Sequence, residues 1–266
     1  MEIKLNDVSS KNLTNINITI HEKEITSLIG ANISIKKEFI DLIYGIEKVT
    51  SGTIKYGRKK YDATATYKKI NELRQNIFFL REEYNNMLFN INIKEDIKFY
   101  LEEYNEEQLY ELLKSFNLNE TILNSNYLDL SSSQIKIILL IIGLMSKSKV
   151  LIFDNPSKNL DNKAIQTFVK HLKKLKREEK IILIISYNTN FLLEVSDRII
   201  VFDDKNIIQD GTKFGILSDE KLLNKVNLKV PNVLNFINKV KCKKNIKLSN
   251  RDNINDLIKD IFRYAK

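Results

Sequence analysis

The chain has 266 residues, enough for one large or two modest domains around a sizeable core, and its 43% hydrophobic and 29% charged residues are ordinary for a globular protein. One cysteine, Cys242, excludes an internal disulfide, and two histidines, His21 and His171, cannot supply a multi-histidine metal site. A formal charge of +9 would suit nucleic acid or an anionic membrane surface, but the basic residues are scattered. They gather only at GRKKY, KKLKREEK and KVKCKKNIK, which read as solvated faces, and no aromatic-interleaved basic motif points at bases.

In chain order, MEIKLNDVSS has no apolar segment of signal-peptide type. Ile16, Ile18 and Ile20 then alternate with Asn15, Asn17 and Thr19 in the manner of a half-buried strand. ITSLI is a buried strand, GANISIKK follows it, and EFIDLIYGIE is helical in pattern. SGTIKYG reads as a turn and a short strand, and NIFFL at 76–80 as another apolar strand before a polar loop. From about 94 to 146 the pattern is helical, through KEDIKFYLEEY, EEQLYELLKSF and SSSQIKIILLIIGLM. The apolar run at 135–145 is too short to span a bilayer and reads as a core helix.

Strands and helices alternate again in KVLIF, NKAIQTFVKHLKKLKRE, KIILIIS, RIIVF and NIIQDG. Continuous β-branched runs of this kind suit a parallel sheet covered on both faces, so the layout is an α/β core with a helical insertion. The tail from 218 holds two or three short helices, with Pro231 opening one of them.

GANISIKK sits where a phosphate loop of the pattern GxxxxGK[S/T] belongs, between a strand and a helix. Gly30 and Lys36 fall in register, while Ile35 stands at the second glycine and Lys37 at the hydroxyl position. Alone, that match is compatible with chance and with Lys36 as an exposed lysine of a first helical turn. Downstream come YLDLSSSQ opening a helix, then KVLIFDNPSKNLD, IILIISYN, VSDRIIVFDD and DGT, in that order. Together these segments resemble the nucleotide-binding subunit of an ABC transporter. The tail FGILSDEKLLNKVNLKVPNVLNFINKVK is similar to the C-terminal extension of the ATPase subunits of energy-coupling-factor (ECF) transporters, which drive vitamin and transition-metal uptake.

The resemblance implies a P-loop NTPase (RecA-like) core of ABC ATPase type over residues 1–217, with a helical insertion at about 82–148 and a small α-helical extension over 218–266. It also implies that the site is degenerate. A β-branched Ile35 held in a left-handed loop conformation would cost about 1–2 kcal/mol or more, so the loop is expected to take another path. Lys36 could still meet a phosphate at the helix N-terminus. Asp154 matches the strand-end carboxylate that holds Mg²⁺ through water, but Asn155 replaces the Glu that polarises the attacking water. An amide takes no proton, and general-base assistance of roughly 10²–10⁴-fold would be lost.

Tyr187 stands at the switch histidine and Arg81 at the Q-loop glutamine, and DVSSKNL offers no aromatic to stack on adenine, a loss of about 1–3 kcal/mol. The partner-site motif reads Leu130, Ser131, Ser132, Ser133, Gln134, with two serines in place of glycines, and the D-loop is kept as Asn159, Leu160 and Asp161. Lys37 and Arg81 are both expected to point at Asp154, so one of them could take the Mg²⁺ position; drift in a site no longer selected for hydrolysis is the alternative. Nucleotide-binding positions are therefore Gly30, Lys36, Lys37, Arg81 and Asp154, with ATP as the ligand and Asp154 as a doubtful Mg²⁺ ligand.

The expected role is a structural or regulatory subunit at the cytoplasmic face of the membrane. It would pair with a second ABC ATPase subunit, the same or different, and with a membrane T-component and a substrate-binding membrane protein. Within REEYNNMLFNIN, Phe89 and Met87 are the candidate contacts to the membrane partner, or else core packing. An active ATPase with a divergent site, and an ABC-type protein acting on nucleic acid or translation, are the competing readings.

Overall fold

The computed structural model describes residues 1–84, 87–244 and 250–264. Asn85 and Asn86 of the expected docking loop, the end of the KVKCKKNIK cluster and the side chain of Cys242 lie outside the described residues.

The amino-terminal part contains β1 (Glu2–Ser9), β2 (Ile16–His21), β3 (Ile25–Gly30), α1 (Ile33–Tyr44), β4 (Ser51–Tyr56), β5 (Lys59–Tyr61), α2 (Tyr67–Arg74) and β6 (Ile77–Leu80). A helical stretch follows, with α3 (Ile93–Leu101), α4 (Glu106–Ser115), two short 3₁₀ turns and α5 (Ser132–Met145). The chain then re-enters the core as β7 (Val150–Asp154), α6 (Asn162–Leu175), β8 (Ile181–Ile185), α7 (Thr189–Val195), β9 (Arg198–Asp203) and β10 (Asn206–Thr212). The tail is α8 (Lys213–Leu217), α9 (Glu220–Lys225), α10 (Asn232–Lys244), which begins directly after Pro231, and α11 (Ile254–Tyr264).

Six strands form one sheet in the order β10-β9-β3-β8-β7-β6, parallel throughout except for the β10 hairpin. Its β-branched runs are buried on both faces, and alternation sorts them between two cores. Ile25, Ile29, Leu151, Phe153, Ile182 and Ile184 face the larger core with α5, α6 and α7. Leu28, Val150, Ile152, Ile181, Leu183 and Ile185 face the smaller one with α1. Each such side chain contributes about 1.5–3 kcal/mol on leaving water, so these strands are the rigid part of the molecule.

The run of alternating strands near the N-terminus does not join this sheet. It builds a separate antiparallel sheet, β2-β1-β4-β5, whose inner face (Ile3, Leu5, Ile18, Ile20, Ile54) closes over α1. The sequence pattern carries the alternation but not the partner, because period-2 burial is the same whichever sheet a strand joins. Among the described residues no helix is long and apolar enough to cross a membrane.

In a parallel sheet the loops after the strand C-termini share one edge, the usual place for a ligand crevice. Here that edge gathers the residues after Gly30 (β3), Leu80 (β6), Asp154 (β7) and Ile185 (β8).

Candidate functional site

Gly30 ends β3 beside Phe202 of β9, and a Cβ at Gly30 would lie 2.5 Å from the Phe202 carbonyl oxygen. The neighbouring strand therefore demands this glycine, independently of any ligand. Only Ala31 and Asn32 separate it from α1, and Asn32 caps the helix by accepting from the Ser34 N–H at 2.9 Å. Ile35 is thus helical, with its side chain in the smaller core at 4% exposure. The chain takes a helical path at Ile35, so the left-handed strain does not arise.

Lys36 is 1% exposed rather than solvated. Its Nζ donates to the Gly30 carbonyl and lies 4.6 Å over the Tyr187 ring. Burial lowers its pKa to about 8, opposed by the charge of Asp154. Burial, followed by the fields of Asp154 and Glu82, lifts the Tyr187 hydroxyl to about 12, so it stays a neutral phenol. The lysine therefore occupies its own loop's carbonyl, and an anion at the start of α1 would have to draw it away.

Asp154 ends β7, buried, and its pKa is raised to about 6 by burial and then by the negative charge of Glu82, against Lys37, the Glu82 backbone N–H and Lys136. Next to it, Asn155 has φ 45°, a left-handed conformation that Asn tolerates better than most residues. Its N–H donates to the Ile185 carbonyl at 2.9 Å and its side-chain amide donates to Glu82 Oε2 at 3.1 Å. Lys158 Nζ donates to the other Glu82 oxygen at 2.8 Å, and these partners hold the Glu82 pKa below its ordinary value.

Lys37, Asp41, Arg81, Glu82 and Asp154 line an open cleft of about 610 Å³. Lys37 is exposed there and its charge falls on Asp154. Arg81 does not share that role: its guanidinium lies 5.1 Å over the Phe79 ring and its charge falls on Asp41. Of the two cations expected at Asp154, only Lys37 is seen to bear on its carboxylate, through its field across the cleft.

Ser131 caps α5 in a reciprocal capping box. Its hydroxyl accepts from the Gln134 N–H at 3.2 Å, and Gln134 Oε1 accepts from the Ser131 N–H at 2.9 Å. Ser132 and Ser133 form the first turn, and Leu130 packs against the larger core. In the D-loop, Asn159 (φ 65°) donates from its amide to the Tyr84 hydroxyl at 3.2 Å, Leu160 packs on the core and Asp161 caps α6 by accepting from Ala164 N–H at 2.7 Å.

Four residues outside the motif reading complete this region. Glu82 and Lys158 form the ion pair beside Asn155. Tyr84 is a junction: its hydroxyl donates to the Ser132 carbonyl at 3.2 Å while accepting from Asn159. Lys136 of α5 is 0% exposed, with Nζ 4.8 Å over the Tyr84 ring, and burial lowers its pKa to about 8 against the fields of Asp154 and Glu82. Lys136 was visible in the sequence as the sole charge of an apolar helix; the others had no such signal.

Chemically, the arrangement offers an anion the start of α1, Lys36 and Lys37. It offers water no free base beside Asp154, because Asn155 is an amide and Glu82 is committed to Lys158 and Asn155. For Mg²⁺ the donors fit poorly. Lys37, a cation, stands in the cleft beside Asp154 in place of a hydroxyl, and Glu82 is committed to Lys158 and Asn155.

The model of the ABC transporter family matches residues 13–158. The energy-coupling factor transporter ATP-binding protein EcfA3 of Oenococcus oeni is 27% identical over 97% of this chain and 93% of its own length. EcfA2 of Clostridium acetobutylicum is 29% identical over 95% of this chain and 87% of its own length. Among solved structures, cbiO1 from Clostridium perfringens, described as part of the ABC transporter complex cbiONQ, superposes with a TM-score of 0.69 at 24% identity, covering 89% of this chain and 98% of that one. A dimeric cassette, MJ0796, bound to ADP and phosphate in a post-hydrolysis state, aligns with a TM-score of 0.68 at 22% identity over 79% of this chain and 98% of that one. The fold is accordingly that of the P-loop ABC ATPases with their helical subdomain.

Proposed function

The chain belongs to the ABC transporter family, and from that premise we propose that it is an ATP-binding cassette subunit of an ECF-type importer with little or no turnover of its own. It serves as the structural or regulatory partner of an intact ATPase subunit. The observation that carries the reading is the pair at the end of β7, where Asn155 presents an amide, hydrogen-bonded to Glu82, in place of a carboxylate.

Three further features support it. Curated relatives named as ECF ATP-binding proteins span most of the chain. Phe89 and Ile91, 52% and 83% exposed, with Phe99 and Leu128, form an apolar surface on the helical part that suits a membrane T-component at the cytoplasmic face. Met87 is half-buried, its carbonyl accepting from the Tyr100 hydroxyl at 2.7 Å, so its share of that surface is small. The face of α11 bearing Ile254, Ile258, Ile261 and Phe262 is open to a second cassette subunit.

ATP is the proposed ligand, held by Lys36, Lys37 and the N-terminus of α1. Phosphate release from the purified chain, alone and with an intact ATPase subunit, is the test. Wild type alone is expected at background, and Asn155→Glu should raise turnover by at least about tenfold, within the range of general-base assistance. Robust wild-type turnover abolished by Lys36→Ala would instead establish an active ATPase with a divergent site.

A further inference from the structure

Lys136 is explained neither by motif spacing nor by packing. It is the single charged residue of α5, whose other positions from Ile135 to Met145 are apolar or glycine. Its Nζ is fully buried and, among the described residues, has no hydrogen-bond partner. An ammonium removed from water without an acceptor is heavily penalised, and the Tyr84 ring 4.8 Å away offsets only part of that. The remaining compensation comes from carboxylates, since Asp154 and Glu82 both act to keep its proton on. Lys37 acts on the same two carboxylates from the open cleft.

We infer that Lys136, from inside the protein, and Lys37, from the cleft, supply the positive charge that a divalent cation would otherwise bring to Asp154 and Glu82, so that the site takes a phosphate anion without Mg²⁺. Two fixed ammoniums raise the electrostatic cost of adding a dication, and Glu82 is further spent on Lys158 and Asn155. The disagreement is therefore with the metal and leaves the nucleotide phosphates in place as ligand. The anion half of the inference rests on the nucleotide-site reading above; the charge balance does not require it.

The test is thermal unfolding of the full chain at pH 7, where Lys136 carries its proton, without nucleotide, in chelator-treated buffer, with MgCl₂ raised to about 10 mM at constant ionic strength. Wild-type Tm is expected to stay put. The Lys37→Ser, Lys136→Met double variant should gain about 2–4 °C as Asp154 and Glu82, stripped of their two ammoniums, acquire Mg²⁺ with roughly millimolar affinity. Lys37→Ser alone, at an exposed position, should gain part of that rise and keeps the test informative if Lys136→Met does not fold. A wild-type rise equal to the variants', or variants as unresponsive as wild type, overturns the charge balance. In a parallel calorimetric titration, wild type should bind ATP with a Kd that differs less than about threefold between chelator and MgCl₂, while the double variant needs Mg²⁺ by tenfold or more. No ATP binding by wild type in either buffer would overturn the nucleotide-site reading and the anion half with it, and the unfolding series would still decide the charge balance.

Discussion

Lys36 and Lys136 are both wholly buried, both have a pKa lowered to about 8, and both feel Asp154, yet they are held in different ways. Lys36 donates to a backbone carbonyl and sits over Tyr187; Lys136 has only the Tyr84 ring and distant carboxylates. The first can be satisfied by its own loop and released to an anion. The second has nowhere else to go. Its charge is useful only as a fixed part of the field around Asp154, which is why a lysine in an apolar helix belongs to the site and not to the core.

The comparison breaks most directly at Asp154. Asp154→Ala should lower unfolding free energy by about 3 kcal/mol at pH 5, the upper range for loss of a buried side chain. Denaturant titration at pH 5 and pH 7.5 checks this. Burial and the charge of Glu82 raise the Asp154 pKa to about 6, so its ionised form burdens the folded state, and the loss should shrink by about 1–2 kcal/mol at pH 7.5, where that burden is complete and the substitution removes it. An equal loss at both values would mean that the carboxylate matters for packing alone.

A smaller effect separates the two lysines. A lysine whose folded pKa lies below its ordinary 10.5 burdens the folded state while charged. That burden is complete below pH 8 and is lifted as pH rises from about 8 to about 10.5, where the unfolded chain holds the proton and the folded one does not. Lys136→Met is therefore expected to stabilise the protein by about 3 kcal/mol at pH 7, an advantage that fades by about pH 10. Lys36→Met should gain only about 1 kcal/mol, since it also removes the charged donor to the Gly30 carbonyl. Equal gains from the two variants, read by urea unfolding across pH 7–10, would erase the distinction.

The smallest change tests the junction between them. Tyr84→Phe keeps the ring over Lys136 but deletes the hydroxyl that joins Ser132 and Asn159. It should cost about 1 kcal/mol, with the pH profile that marks Lys136 unaltered.

Much of the architecture was legible because parallel strands buried on both faces leave continuous runs such as VLIF and IILII, and because motif order fixes which strand end follows which. The helices of the insertion were likewise readable from periodicity; in the tail, where two or three short helices were expected from 218, the chain forms α9, α10 and α11. The second, antiparallel sheet was not readable, since alternation at Ile16, Ile18 and Ile20 is silent about its pairing partner. At the site, Gly30 ends β3 and Asp154 ends β7 on the far side of β8, with Asn155 directly after it and Lys36 and Lys37 near the start of α1. The sequence could not say that Ile35 is helical, that Lys36 turns inward, or that Arg81 lies over Phe79 while Glu82 takes the place beside Asn155.

What the sequence determined by itself was the family, the order of the core elements, and an amide in place of a carboxylate after Asp154, since an amide cannot act as a base wherever it lies. What the tertiary structure decided was which charges meet. Between Lys136 and Asp154 the chain runs through the rest of α5, a turn and β7, and only the packing of α5 against β6 and α6 brings their fields together. Burial sets the strength of those fields by excluding water, and burial belongs to the assembled fold rather than to any segment of the sequence.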